Sequence, residues 1–185
     1  MKQRLKQLLS QRQKLHIVDA NRISSAVLVP IYCKRGEYYL LFTKRTQKVK
    51  DHKGQISFPG GAKEGNETLV NTALRECAEE IGLAAEEVEI LGELDDTMSV
   101  TSNYVISPFV ALIPWPYQFK VSEEEIDELV EAPVSAFLDG VCQCREEGTT
   151  AGEVVNSFSY HYQGRVIWGV TARVLKQFLD IWVRL

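Results

Sequence analysis

Apolar residues recur along this chain in two periods, and the change from one to the other marks out its elements. Ser24 to Tyr32 (SSAVLVPIY) is a nearly continuous apolar run, the pattern of a buried strand. Its Pro30 has no N–H to give a ladder, so an edge or a bulge is expected there. Polar Lys34-Arg35-Gly36-Glu37 reads as a hairpin turn, and Tyr38 to Thr43 as the strand that returns from it. Val88 to Leu94 and Tyr104 to Ile113 are two further strands, the second containing Pro108 and stopped by Pro114-Trp115-Pro116. Glu153 to Tyr162 and Arg165 to Trp168 form a hairpin around Gln163-Gly164.

Elsewhere the spacing is helical. Leu5, Leu8, Leu9 and Leu15 predict an N-terminal surface helix packed on the domain. Leu69, Ala73, Cys77 and Ile81, spaced by four, predict a second helix with Gly82 as its left-handed cap. Val174, Leu175, Phe178, Leu179 and Trp182 predict a closing helix from about Thr171 to Val183. Ser122 to Val130 (SEEEIDELV) reads as an acidic surface helix and Val134 to Leu138 as a short helical turn. The stretches 44–57 and 95–103 are irregular. No internal repeat, low-complexity tract or linker interrupts the pattern, so residues 21–185 are read as one α/β domain and residues 1–20 as a helical extension packed on it.

At 185 residues, 45% hydrophobic and 25% charged, the chain has ordinary globular composition. A net charge of −4 argues against general nucleic-acid binding, which needs a basic face to neutralise phosphates. No run approaches about 20 apolar residues, so nothing is expected to span a membrane. The first twenty residues are basic, with no acid before Asp19, and suit a surface helix better than a targeting segment. Cys33, Cys77, Cys142 and Cys144 read as reduced thiols in a cytoplasmic protein; Cys142-Gln143-Cys144 lacks the second pair a soft-metal site needs.

The chemistry concentrates in Gly54 to Leu83, GQISFPGGAKEGNETLVNTALRECAEEIGL. A glycine-rich loop around Pro59-Gly60-Gly61 precedes the second helix, on which Glu76, Glu79 and Glu80 share a face and Arg75 lies four residues before Glu79. Three carboxylates on one face repel each other, with only Arg75 beside them to offset the charge. Hard divalent cations take oxygen ligands, and such a cluster offers both donors and countercharge.

Gly61, Glu67 and Arg75-Glu76-Cys77-Ala78-Glu79-Glu80-Ile81-Gly82-Leu83 stand at the spacings of the Nudix box, which they resemble at every fixed position. The box marks hydrolases of nucleoside diphosphates linked to another group. The resemblance implies an α/β/α sandwich with a mixed sheet, and a cofactor of Mg²⁺ or Mn²⁺. It makes Glu76, Glu79 and Glu80 metal ligands, helped by the carbonyl of Gly61, with Arg75 and Glu67 as organising residues. An arginine fork suits the task of holding a carboxylate in one rotamer.

A second pattern lies upstream: Leu41-Phe42-Thr43-Lys44-Arg45-Thr46, then Lys50, Gly54 and Phe58-Pro59-Gly60-Gly61. It resembles the motif of the coenzyme A pyrophosphatase branch, Leu-Leu-Thr-x-Arg-Ser followed by Arg, Gly and Phe-Pro-Gly-Gly, with all spacings kept. Phe42, Thr46 and Lys50 depart from it. Thr101-Ser102-Asn103-Tyr104, Glu125-Ile126 with Val130-Glu131-Ala132-Pro133-Val134, and Ile167-Trp168-Gly169-Val170-Thr171-Ala172 are similar to later segments of that branch. The resemblance implies hydrolysis of coenzyme A to 3′,5′-ADP and 4′-phosphopantetheine. Arg45, Lys50, Gly60 and Gly61 would bind the substrate, and Arg75, Glu79, Glu80 and Glu125 would carry catalysis, Glu125 as base or extra ligand. Arg45, Lys48, Lys50, His52, Lys53 and Lys63 bring positive charge that suits a substrate with several phosphates.

The partner expected is therefore a small diphosphate, with neither nucleic acid nor membrane, and a homodimer is left open. Another diphosphate, such as ADP-ribose or a dinucleotide, is the alternative substrate. A non-catalytic nucleotide sensor is a third reading, against which the full set of glutamates argues.

Overall fold

Two strands running the same way form the spine of the sheet. In this computed structural model β1 (Ile23–Lys34) pairs in parallel with β7 (Tyr104–Leu112), from Ile23 opposite Tyr104 to Ile31 opposite Leu112. The structure describes residues 1–48, 53–99, 102–138, 143–150 and 153–185; Lys50, His52, Thr101 and Cys142 lie outside the described residues.

On its other edge β1 has two successive antiparallel partners. β4 (Gly60–Ala62) takes residues 25–27 and β2 (Glu37–Arg45) takes residues 31–34. β7 is shared in the same way between β6 (Thr97–Met98) and β5 (Glu89–Glu93). Pro30 and Pro108, expected at an edge or a bulge, instead lie in central strands. Pro30 falls in the gap between the pairings with β4 and β2, and Pro108 between those with β6 and β5, where no ladder partner needs their missing N–H. β3 (Ile56–Ser57) and β8 (Ile126–Pro133) complete the mixed eight-stranded sheet on β2.

The strand β8 corrects the expected acidic helix. Residues 126–133 pair antiparallel with β2, Phe42 opposite Val130, and bury Ile126, Val130 and Ala132 while Asp127 stays exposed. Sheet pairing overrides the helical preference of a Glu-rich segment. β9 (Gln143–Thr150), β10 (Glu153–Tyr162) and β11 (Arg165–Ile167) form a second, three-stranded sheet, which includes the expected hairpin and carries Cys144 in β9.

Helices cover both faces of the large sheet. α2 (Leu69–Ile81) packs Ala73, Cys77 and Ile81 on Ala26, Leu28, Tyr32, Leu41, Phe109 and Ala111. On the opposite face, α1 (Lys2–Ser10) and α4 (Gly169–Trp182) cover Val29, Ile31, Leu40, Phe42, Val110 and Val130. This is an α/β/α sandwich. The expected helical turn near Val134 is α3 (Ser135–Leu138), which buries Phe137.

A nine-residue helix such as α1 is marginal by itself. Leu5 and Leu9 are buried against the domain, and each contributes about 1.5–3 kcal/mol. Leu15 does not share that role: the helix ends before it and its side chain is exposed. Among the described residues no helix is long and apolar enough to cross a membrane.

Candidate active site

Helix α2 is set by its ends. Thr68 Oγ1 accepts from Asn71 N at 3.3 Å, and Gly82 closes the helix at φ +68°, its N–H returning to Ala78 O. Beyond the cap the chain is held against α2 by backbone bonds, Lys120 N to Ile81 O and Ser122 N to Glu80 O. These bonds bring the segment leading to Glu125 alongside the carboxylates.

Glu76, Glu79 and Glu80 do not share one environment. The Glu79 side chain is 57% exposed, Glu76 16% and Glu80 only 2%. The sequence reading put all three on one face. Glu80 lies three residues after buried Cys77 and seven after buried Ala73, so it belongs to the buried flank. That spacing was the available signal.

Arg75 ties the exposed part together. Its Nε and Nη2 donate to the two oxygens of Glu67 at 3.3 and 3.1 Å, and Nη2 also donates to Ala62 O at 3.0 Å. Nη1 reaches Glu79 Oε2 at 3.0 Å and Glu76 Oε1 at 2.9 Å. Glu67 also accepts from Glu64 N and Thr72 Oγ1. Those bonds, Arg75 first, hold its carboxyl down at about 2.

Glu80 is answered from the other side. Arg45 Nη1 donates to Glu80 Oε1 at 3.3 Å and Gly60 N to Glu80 Oε2 at 3.2 Å. Burial nevertheless pushes the Glu80 carboxyl up to about 8, against the opposing pull of Arg45 and the Gly60 N–H. Burial likewise raises Glu76, opposed by Arg75. Glu125 lies 4.0 Å from Arg45 Nη2; the bonds from Thr46 N to Glu125 O and from Thr46 Oγ1 to Glu124 O hold its backbone there. Lys50 lies outside the described residues.

The two glycines have distinct tasks. At Gly60, φ is +152° and an added Cβ would stand 2.2 Å from Ala26 O, so β4 could not lie against β1. At Gly61 a Cβ would stand 2.4 Å from the Glu76 carboxylate, so the bare backbone lets that carboxylate approach the loop.

The fit of a divalent cation follows from the donors. All are carboxylate or carbonyl oxygens, the ligands hard cations prefer. Besides burial, neighbouring carboxylates raise both groups, Glu79 and Glu125 for Glu76, Glu76 and Glu125 for Glu80, so added positive charge would relieve them. Among the described residues no set of three acidic, histidine or cysteine groups is already closed about one point, because Arg75 and Arg45 engage the glutamates. A cation there would be held by Glu76, Glu79, Glu80 and the Gly61 carbonyl, with those arginine contacts loosened.

The NUDIX domain family model matches residues 22–143. The chain belongs to the Nudix family. It is 34% identical over 160 residues to a protein of Photorhabdus laumondii subsp. laumondii described as "Uncharacterized Nudix hydrolase NudL", a match spanning 86% of this chain and 84% of that one. A NudL of the same description from Yersinia pestis (strain Pestoides F) is 35% identical over 162 residues, 87% of this chain and 80% of the relative. Among solved structures, a C. elegans Ap4A hydrolase binary complex superposes with TM-score 0.53 at 16% identity, over 63% of this chain and 84% of that one, a likeness of fold. This protein is thus a Nudix hydrolase.

Proposed function

We propose that this Nudix hydrolase cleaves the pyrophosphate bond of coenzyme A or a derivative, giving 3′,5′-ADP and 4′-phosphopantetheine, with Mg²⁺ or Mn²⁺ in a cytoplasmic setting. The observation that carries this reading is the meeting of two stretches. The upstream Leu41–Thr46 run, which resembles the coenzyme A branch, puts Arg45 in contact with Glu80 of the box. Substrate-specific and catalytic residues thereby share one charge network.

When bound, the cation supplies countercharge for the diphosphate and a more acidic water. The chain's residues do the rest. Arg75 holds Glu76 and Glu79 in a fixed relation to Glu67. Gly60 and Arg45 aim Glu80 at the loop. The Arg45 side chain is a quarter exposed, and a phosphate oxygen can replace a carboxylate as its acceptor. Glu125 is the base in this reading, taking a proton from attacking water; its half-exposed carboxylate, 4.0 Å from Arg45, supports that role. Hydrolysis by water needs no covalent intermediate on the protein.

A substrate panel tests the reading. Coenzyme A, dephospho-coenzyme A, ADP-ribose and a dinucleoside polyphosphate are offered with each metal, and coenzyme A is expected to give the highest kcat/KM. Preference for ADP-ribose or the dinucleotide would replace the substrate and leave the reaction class.

A further inference from the structure

Arg173, on the second turn of α4, is a half-buried guanidinium without a countercharge. Its Nη2 donates to Met98 O at 2.6 Å, while its Nε is buried with no hydrogen-bond partner. Among the described residues no carboxylate faces it, and burial alone pushes its pKa down. Withdrawing a cation from water without an anion is costly, and a bound anion would offset that cost.

Docking of the helix does not explain the arginine. One turn on, Gln177 already joins α4 to the same loop by three bonds: it accepts from Asp95 N at 2.9 Å and donates to Asp95 O and Thr97 Oγ1 at 3.3 and 3.1 Å. Arg173 adds a single contact to Met98.

Its position relates to the cleavage site through the sheet. Ala62 of β4 pairs with Ser25, Ser25 with Ile106, and Ile106 with Thr97. Thr97 is therefore three strand spacings, about 14 Å, from the end of the Gly60–Ala62 strand. Trp168 begins α4 with its side chain 46% exposed and its preceding strand, β11, packed on β3, three residues before Gly60. An exposed indole and an uncompensated guanidinium thus flank the start of α4. Ring stacking and a charge-assisted bond are the two contacts that recognise a phosphorylated nucleoside.

We propose that Arg173 binds a phosphate monoester carried on the nucleoside of the substrate, with Trp168 as the surface for its base. The inference rests on the coenzyme A reading for the identity of that group, the 3′-phosphate. The site itself does not depend on turnover.

Arg173→Gln and Arg173→Lys test it by two routes. The first is metal-free calorimetry with 3′,5′-ADP and 5′-AMP. Wild type should prefer 3′,5′-ADP, and Arg173→Gln should weaken its binding about 10- to 100-fold, the worth of a charged hydrogen bond, with 5′-AMP changed less than about threefold. Arg173→Lys should restore part of the preference. The second route is kcat/KM on coenzyme A and dephospho-coenzyme A, where only the former should fall by a similar factor. Thermal unfolding should show Arg173→Gln as stable as wild type or more so, because a buried charge is removed. Equal losses on both ligands, a wild type without preference for 3′,5′-ADP, or loss of stability with preference intact would overturn the proposal. A retained preference without hydrolysis of coenzyme A would remove the proposed reaction and support the anion site.

Discussion

Arg45 Nη1 lies 3.3 Å from Glu80 Oε1, and the carboxylate it meets is 2% exposed. This pair links the end of β2 to α2, and each partner has a different consequence when removed. Arg45→Ala leaves a buried carboxylate facing only the Gly60 N–H. Breaking a buried pair costs about 3–5 kcal/mol, and the solvent that reaches Arg45 lowers the expectation to about 1–3 kcal/mol. Chemical denaturation should show this loss together with weaker substrate binding. Glu80→Gln is nearly isosteric and should keep the fold, yet lose about 100-fold or more in kcat. A Glu80→Gln enzyme near wild-type turnover would remove Glu80 from the machinery.

Glu67 and Arg75 give a pH-dependent prediction. The Glu67 carboxyl is held at about 2, below its unfolded value of about 4.3. A depressed carboxyl contributes stability that is present above the unfolded pKa and is lost as pH falls through the folded one. Melting temperature should therefore fall between about pH 4.3 and pH 2 more steeply in wild type than in Glu67→Gln. Identical acid profiles would contradict the pairing.

The glycine pair separates folding from chemistry. Gly60→Ala drives a Cβ into the Ala26 carbonyl and should cost about 2–4 kcal/mol of stability. Gly61→Ala meets only the end of the flexible Glu76 side chain, so stability should change little. Displacing that carboxylate should lower kcat about 100-fold. Calorimetric melting and steady-state kinetics on the two variants check the contrast.

Glu125 is half-exposed and sits outside the helix, so its removal tests function with little structural confusion. Glu125→Gln should lower kcat about 10- to 100-fold with stability within about 0.5 kcal/mol of wild type. Unchanged kcat would leave Glu125 as a surface residue.

Much of the sandwich was legible because strongly periodic segments state their own element. Ser24–Tyr32 and Tyr104–Ile113 became the parallel spine, and the Leu69–Ile81 stripe became the inner face of α2. Residues 122–130 were misread because their acidic composition favours a helix, while pairing with β2 is a long-range fact. The resemblance to the box singled out three carboxylates as a group, whereas the structure buries Glu80 and exposes Glu79. The spacing of Glu80 from Ala73 and Cys77 carried that signal, but its partners Arg45 and Gly60, 35 and 20 residues away in sequence, are long-range facts. Arg173 was invisible for a related reason: its lack of a countercharge is a property of its surroundings.

The most direct measurement is mass spectrometry of a digest of coenzyme A with the pure protein and Mg²⁺ in ¹⁸O-labelled water. The account predicts 3′,5′-ADP and 4′-phosphopantetheine in equal amounts, with one labelled oxygen incorporated per cleavage and found in only one of the two products. Intact coenzyme A under conditions where ADP-ribose or a dinucleotide is cleaved would contradict it.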